Sequence, residues 1–141
     1  MVDPTLHLLG AVPLFQDLSR RELSEILSVA REVEFPAGID IVSEGHQAVD
    51  FFLILDGEAR VEVRGRRSNK KLRPGDYFGE VSVLDGGPRS ATVTAETPVW
   101  ALRLDRSKFL RVLDKHGSIG RKLLVEMSKR LRAAEGVLVH W

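Results

Sequence analysis

PGDYFGEVSVLDGGPRSATV, residues 74–93, is the stretch on which the reading of this chain turns. It packs a turn, a carboxylate, a short helix start, a second turn and an arginine into twenty residues. Gly79 has no Cβ, so a ligand can approach the backbone there. Glu80 follows at once and sets an ionised acceptor at the mouth. Residues 81–84 suffice for one helical turn. The first N–H groups of such a turn have no internal partner and point at whatever lies ahead. A phosphate is the usual tenant of that position. Asp85-Gly86-Gly87-Pro88 turns the chain back. Pro88 fixes its own φ and biases Gly87 to extended geometry. Arg89 is thereby delivered from a stiff support, its planar fork of donors matched to two anion oxygens. The stretch reads as an anion cradle with a hydroxyl reader beside it.

Upstream of the cradle the hydrophobic period is that of strands. Residues 33–35 end at the turn Pro36-Ala37-Gly38, residues 39–42 form a second strand, and Glu44-Gly45 a second turn. Residues 51–55 are continuously apolar, as in a strand buried on both faces. After Asp56-Gly57, Ala59, Val61 and Val63 alternate with Arg60, Glu62 and Arg64. Downstream, Ala91, Val93 and Ala95 alternate with Thr92 and Thr94, and Trp100, Leu102 and Leu104 share a face. Many short strands with glycine turns between them predict a closed or nearly closed antiparallel β-roll, jelly-roll-like, over residues 32–104.

Helical signals flank the roll. Residues 5–18 read as a short helical entry. Ser19 and Glu22 form a capping box, Leu18 and Leu23 a staple, and Leu23, Ile26, Leu27 and Ala30 one face. Asp105 caps a helix with Phe109, Val112 and Leu113 buried, and Gly117 stops it. Ser118 caps a last helix with Ile119, Leu123, Met127 and Leu131 on one stripe and Gly136 at its end. The fold class is therefore α+β in one domain, residues 1–136: helices over 1–31, the roll, and two helices over 105–136. Residues 137–141 form a tail.

The 141 residues suit one core. A formal net charge of +1 supplies no global field for nucleic acid or acidic membrane. The absence of cysteine excludes a disulfide scaffold and thiolate metal sites, and fits a reducing cytoplasm. Pro4 and Pro13 break the apolar N-terminal stretch and no basic segment precedes it, so a signal peptide is not expected. No apolar run is long enough to cross a bilayer. His7, His46, His116 and His140 are scattered without metal-ligand spacing. No nucleophile-elbow, paired-carboxylate or P-loop pattern occurs, and no enzyme centre or cofactor is expected. Arg64, Arg66, Arg67, Lys70, Lys71 and Arg73 lack the interleaved aromatics of a nucleic-acid patch and read as a solvated loop between strands.

Phe78-Gly79-Glu80, a hydrophobic-small-hydrophobic run, and Pro88-Arg89-Ser90-Ala91 together resemble the phosphate-binding cassette of the cyclic-nucleotide-binding domain, residues 78–91 here. That domain occurs in catabolite-activator-type transcription factors, protein kinase A regulatory subunits and nucleotide-gated channels. The nine-residue step from Glu80 to Arg89 matches the family spacing. The order helices, β-roll, two helices matches too, so the resemblance covers all but residues 136–141. It implies that Glu80 accepts from the ribose 2′-hydroxyl and that Arg89 holds the exocyclic phosphate oxygens. It implies that backbone N–H groups of Ser82, Ser90 and Ala91, with the Ser90 hydroxyl, face the phosphate, and that the Gly79 backbone approaches the ribose. For Ser82, simple small-residue packing is an equal reading. The family's hinge-contacting residue, usually Leu, is matched by Val83, and Gly117 can absorb the hinge rotation. The base would be held by apolar contact and stacking, from the last helix or Trp141. The implied ligand is cyclic AMP, with cyclic GMP the other candidate. The implied role is a sensor module serving an effector domain or protein partner, compatible with a homodimer, with no direct contact to nucleic acid or membrane. Two other readings stand beside it: a vestigial fold kept for protein interaction or dimerisation, and a fragment of a cyclic-AMP-responsive regulator.

Overall fold

Residues 51–55 set the layers. The side chains of a strand point alternately to its two faces. In the computed structural model, which describes residues 4–135, they belong to strand β3 (Phe51–Asp56). Phe51, Leu53 and Leu55 point into one core, Phe52 and Ile54 into another, and all five are buried. The expectation of a strand covered on both faces is met.

The two cores follow from the roll. Strands β1 (Arg31–Phe35), β2 (Asp40–Val42), β4 (Ala59–Val63), β5 (Arg66–Leu72), β6 (Tyr77–Phe78), β7 (Thr92–Ala95) and β8 (Val99–Leu104) join β3 in two four-stranded sheets. Their orders are β1-β8-β3-β6 and β2-β7-β4-β5, with every pairing antiparallel. Phe52, Ile54, Leu72, Phe78, Val93 and Val99 belong to the core between the sheets. The other core lies between the first sheet and the helices α1 (Pro4–Gly10), α2 (Arg20–Val29), α4 (Arg106–Lys115) and α5 (Gly117–Glu135). There Phe51 stacks on Phe109 at 4.2 Å between ring centroids.

The predicted caps of two helices are present. Ser19 Oγ accepts from Glu22 N–H at 3.2 Å, and the Glu22 carboxylate accepts from Ser19 N–H at 2.9 Å. Asp105 Oδ1 accepts from Lys108 N–H at 3.0 Å. The expected stop at Gly117 is displaced. His116 ends α4, and Gly117 opens α5 without positive φ. Buried His116 sits with Nδ1 3.1 Å from Glu22 Oε2, so tertiary packing, not a glycine cap, sets the break. Gly136, expected to end the last helix, and the tail 137–141 lie outside the described residues.

The basic segment expected as a solvated loop is strand β5. A two-residue turn with Arg64 at φ 54° and Gly65 at φ 75° reverses the chain, the hairpin geometry that matches strand twist. Glu62 then pairs with Arg67, and Ala59 with Leu72. β5 is the edge of its sheet, where cations are the usual guard against further strand pairing. Edge strands lack a second neighbour to cover them, so their apolar alternation is weak and the sequence pattern misses them.

Candidate functional site

The cassette is folded by its glycines. Gly79 has φ 89°, and a Cβ there would lie 2.4 Å from the Asp50 carbonyl oxygen and 2.8 Å from Arg89 Nη1. Its freedom therefore admits the protein's own backbone and guanidinium, a more specific reason than ligand approach. α3 (Glu80–Asp85) starts immediately after it and is one residue longer at each end than the predicted turn over 81–84. Gly86 at φ 72° closes α3, its N–H donating to the Ser82 carbonyl at 2.8 Å. The Ser82 hydroxyl donates to the Pro88 carbonyl at 3.2 Å and is buried. That hydroxyl ties the two ends of the cassette together, which favours the packing reading of Ser82.

Arg89 is 4% exposed. Nη1 donates to the Asp50 carbonyl at 2.8 Å, and the Gly79 carbonyl lies at 3.5 Å. Nε is buried and has no hydrogen-bond partner among the described residues. Among the described residues no carboxylate comes within ion-pair distance of Arg89; Asp50 turns its own carboxylate to Arg103, at 3.3 Å. Burial pushes the guanidinium below its ordinary pKa, against the opposing pull of Asp50 and Glu80. The backbone beside it is clamped: Arg89 N–H donates to the His46 carbonyl at 2.9 Å and Gly45 N–H to the Arg89 carbonyl at 2.8 Å. A rigid, buried cation thus faces an opening with donor capacity left over.

That opening is a cavity of about 360 Å³, within the range of roughly 300–1,000 Å³ typical of small-molecule sites. Gly79, Glu80, Ser82, Arg89, Ser90 and Ala91 all line it. Val61, Leu72 and Val93 supply an apolar wall from the second sheet, and Ser68 and Lys70 its β5 rim. α5 closes the remaining side with Glu126 and Arg130. Glu80 is 4% exposed and accepts from Arg130 Nη1 at 2.5 Å. Burial holds Arg130 down, but the hydrogen bond and charge of Glu80 outweigh it and raise its pKa. Tyr77 lies nearby; burial first, then the Glu80 charge, push its phenol up to about 12.

The two expected hinge residues part company. Val83 is fully buried in the helical core with Phe109, Ile119 and Leu123. Its carbonyl accepts from Arg106 Nε at 2.7 Å, so α3 is tied to α4 by a side chain as well as by packing. A Cβ at Gly117 would meet open space, so nothing there demands glycine. Trp141, suggested as a stacking partner, lies outside the described residues. Asp50, Arg106 and Arg130 were not legible as site residues. Each is one more charged residue in a chain that is 29% charged, and none stands at a fixed short spacing from Glu80 or Arg89. Among the described residues no group of His, Asp and Glu could hold a metal ion.

A family model described as the cyclic nucleotide-binding domain matches residues 32–116. The chain belongs to this family. A cAMP-dependent protein kinase regulatory subunit of Neurospora crassa is 37% identical over 115 residues, which are 81% of this chain and 30% of that subunit. The domain thus spans under a third of the length of that curated relative. Among solved structures, "Sp-2Cl-cAMPS bound to PKAR CBD2" superposes with a TM-score of 0.78 at 29% identity, covering 92% of this chain and 87% of that one. The Thermus thermophilus catabolite activator protein gives 0.79 at 30% identity, covering 89% and 61%. The β-roll with helices at both ends is the fold of these neighbours. Among the described residues no helix is long and apolar enough to cross a membrane.

Proposed function

We propose that this domain binds a 3′,5′-cyclic purine nucleotide, cyclic AMP in preference to cyclic GMP, and transmits binding to α4 and α5. The observation that carries the reading is buried Arg89, which among the described residues has no partner for its Nε–H and no carboxylate within ion-pair distance. An unpaired buried cation is costly and calls for an anion. One phosphodiester charge answers it, with two oxygens accepting from the guanidinium fork. The ribose 2′-hydroxyl then donates to Glu80. A carboxylate has acceptor sites enough to keep Arg130 at the same time. Val61, Leu72 and Val93 offer the base an apolar wall. The relatives support the ligand class: one is a subunit of a cAMP-dependent kinase, and one neighbour was solved with a cyclic AMP analogue.

Transmission follows the ties of the cassette. Anything that draws α3 toward the phosphate pulls on α4 through Arg106 and Val83, and on α5 through Arg130. The role is that of a regulatory module for an effector domain or partner protein, without chemistry of its own. Calorimetric titration with cyclic AMP, cyclic GMP and linear AMP tests it. Saturable heat is expected with both cyclic nucleotides, tighter for cyclic AMP, and weaker binding of linear AMP, whose extra charge exceeds what one arginine neutralises. No heat with either cyclic nucleotide would sink the proposal and leave the fold as an interaction module.

A further inference from the structure

Next to the first cavity, and sharing Lys70, Tyr77, Glu126 and Arg130 with it, lies a second cavity of about 440 Å³, framed by the 3-10 turn Pro13–Phe15, the start of β6 and α5. Its floor is apolar: Pro13, Leu14, Val125 and the ring of Tyr77. Its rim is basic. Lys122 is already engaged, donating to the Pro13 carbonyl at 2.6 Å and pairing with Asp17 at 3.2 Å, and Arg130 is held by Glu80. Lys70, Arg121 and Lys129 are exposed, and their side chains have no hydrogen-bond or ion-pair partner among the described residues. Elsewhere on the surface some cations are matched, Arg67 and Lys71 with Glu96, Arg73 with Glu58, Lys115 with Glu25, while Arg20, Arg31, Arg64, Arg66 and Arg111 stand unpaired among the described residues but apart from this cavity. Three partnerless cations, Lys70, Arg121 and Lys129, thus gather around one apolar trough.

We infer that this trough docks an acidic, aliphatic-rich peptide segment of a partner protein. Aliphatic side chains would cover Leu14, Val125 and the Tyr77 ring, while carboxylates reach Lys70, Arg121 and Lys129. The opposite charges favour encounter and exclude basic segments. A nucleic-acid backbone fits less well. Its evenly spaced phosphates would run against Asp76 and Glu126, which also line the trough, and one tyrosine gives no stacking platform. A peptide can place its acids between those carboxylates. The inference goes beyond the nucleotide reading; Lys70, Tyr77, Glu126 and Arg130 border both cavities, but Arg121, Lys129, Val125 and Leu14 line only the second, and the test is placed on these.

The test is fluorescence anisotropy on the full chain with a labelled peptide of alternating Glu and Leu, about twelve residues long, enough to cross a trough of this size when extended. A Lys-Leu peptide and a labelled oligo-thymidine serve as comparisons. Saturable binding of the Glu-Leu peptide and none of the Lys-Leu peptide is expected. Arg121→Glu and Lys129→Glu should each weaken it about tenfold, in the range seen for charge pairs across interfaces. Both positions are exposed, so thermal melting and nucleotide titration of these variants should match the parent and show that they remain folded. Amide shifts at Leu14, Tyr77 and Val125 should move on titration. Absence of binding, unchanged affinity in both variants, shifts confined to other surfaces, or tighter binding of oligo-thymidine with the same charge-reversal loss would each overturn the proposal, the last in favour of nucleic acid.

Discussion

Arg89, Glu80 and Gly79 carry separable burdens. Removing the Arg89 side chain should weaken cyclic nucleotide binding by about 2–5 kcal/mol, because it strands the phosphate charge in a buried site. That is roughly 30- to several-thousand-fold in Kd. Glu80→Ala should cost less, about 1–3 kcal/mol, since the ribose hydroxyl it strands is neutral and Arg130 is free to turn to solvent. Calorimetry reads both, and a parent-like Kd for Arg89→Ala would show that the site is elsewhere. Gly79→Ala acts on the fold instead. Its Cβ would lie 2.4 Å from a backbone oxygen, at a φ of 89° that alone costs about 1–3 kcal/mol. The expected outcome is a lowered Tm together with lost binding, whereas Arg89→Ala should melt near the parent. Tyr77 gives a pH signature. It is the chain's one tyrosine, so ultraviolet titration of phenolate reads it directly. Burial raises its folded pKa to about 12 from the ordinary value of 10.0, so the neutral phenol is favoured in the fold. Its contribution to stability is full below pH 10 and is lost as pH rises through about 12. A phenolate midpoint near 10 in the folded chain would contradict this packing.

At the scale of elements, output depends on how α3 is attached. Val83 contributes a buried side chain to the helical core and a carbonyl to Arg106. A ligand shifts only what it binds unequally, so binding must favour one placement of α3 relative to α4 and α5. We expect cyclic nucleotide to protect the amides of residues 118–135 against hydrogen exchange, besides those of residues 79–91. The coupling should be modest, about 1–3 kcal/mol. Val83→Ala loosens the packing and Arg106→Ala the hydrogen bond. Each should shrink the protection of α5 while leaving most of the affinity set by Arg89. Protection confined to the cassette at saturating nucleotide would mean that the helices only cover the core.

For the molecule as a whole, binding and stability are linked by mass action. Ligand at about 100 times Kd adds about 2.7 kcal/mol to unfolding. For a domain of this size that corresponds to a rise in Tm of roughly 5–10 °C. At the same nucleotide concentration Arg89→Ala should cut the rise to about a third or less, and an undiminished rise in that variant would place the ligand outside the cavity. The layers make such transfer efficient. β3 is buried on both faces, so the core between the sheets and the core under the helices share one strand, and loosening either is felt by the other.

Much of this was readable along the chain because the interactions responsible are local. The capping box at Ser19 and Glu22 spans four residues, the doubly buried run 51–55 is contiguous, and the cassette closes on itself within residues 79–89. Backbone geometry and side-chain period are then determined by neighbours in sequence, and the pattern survives in the sequence. Other features depend on distance in space alone. Arg130 reaches Glu80 across fifty residues, Arg89 is held by the carbonyl of Asp50 thirty-nine residues away, and Arg106 meets Val83 across twenty-three. A long charged side chain carries no mark of its partner, and only the tertiary structure chooses among the many carboxylates and carbonyls on offer. The same holds for β5, whose edge position rather than its composition makes it a strand, and for the break at His116, where contact with Glu22 of another helix decides what a glycine one residue later was expected to decide.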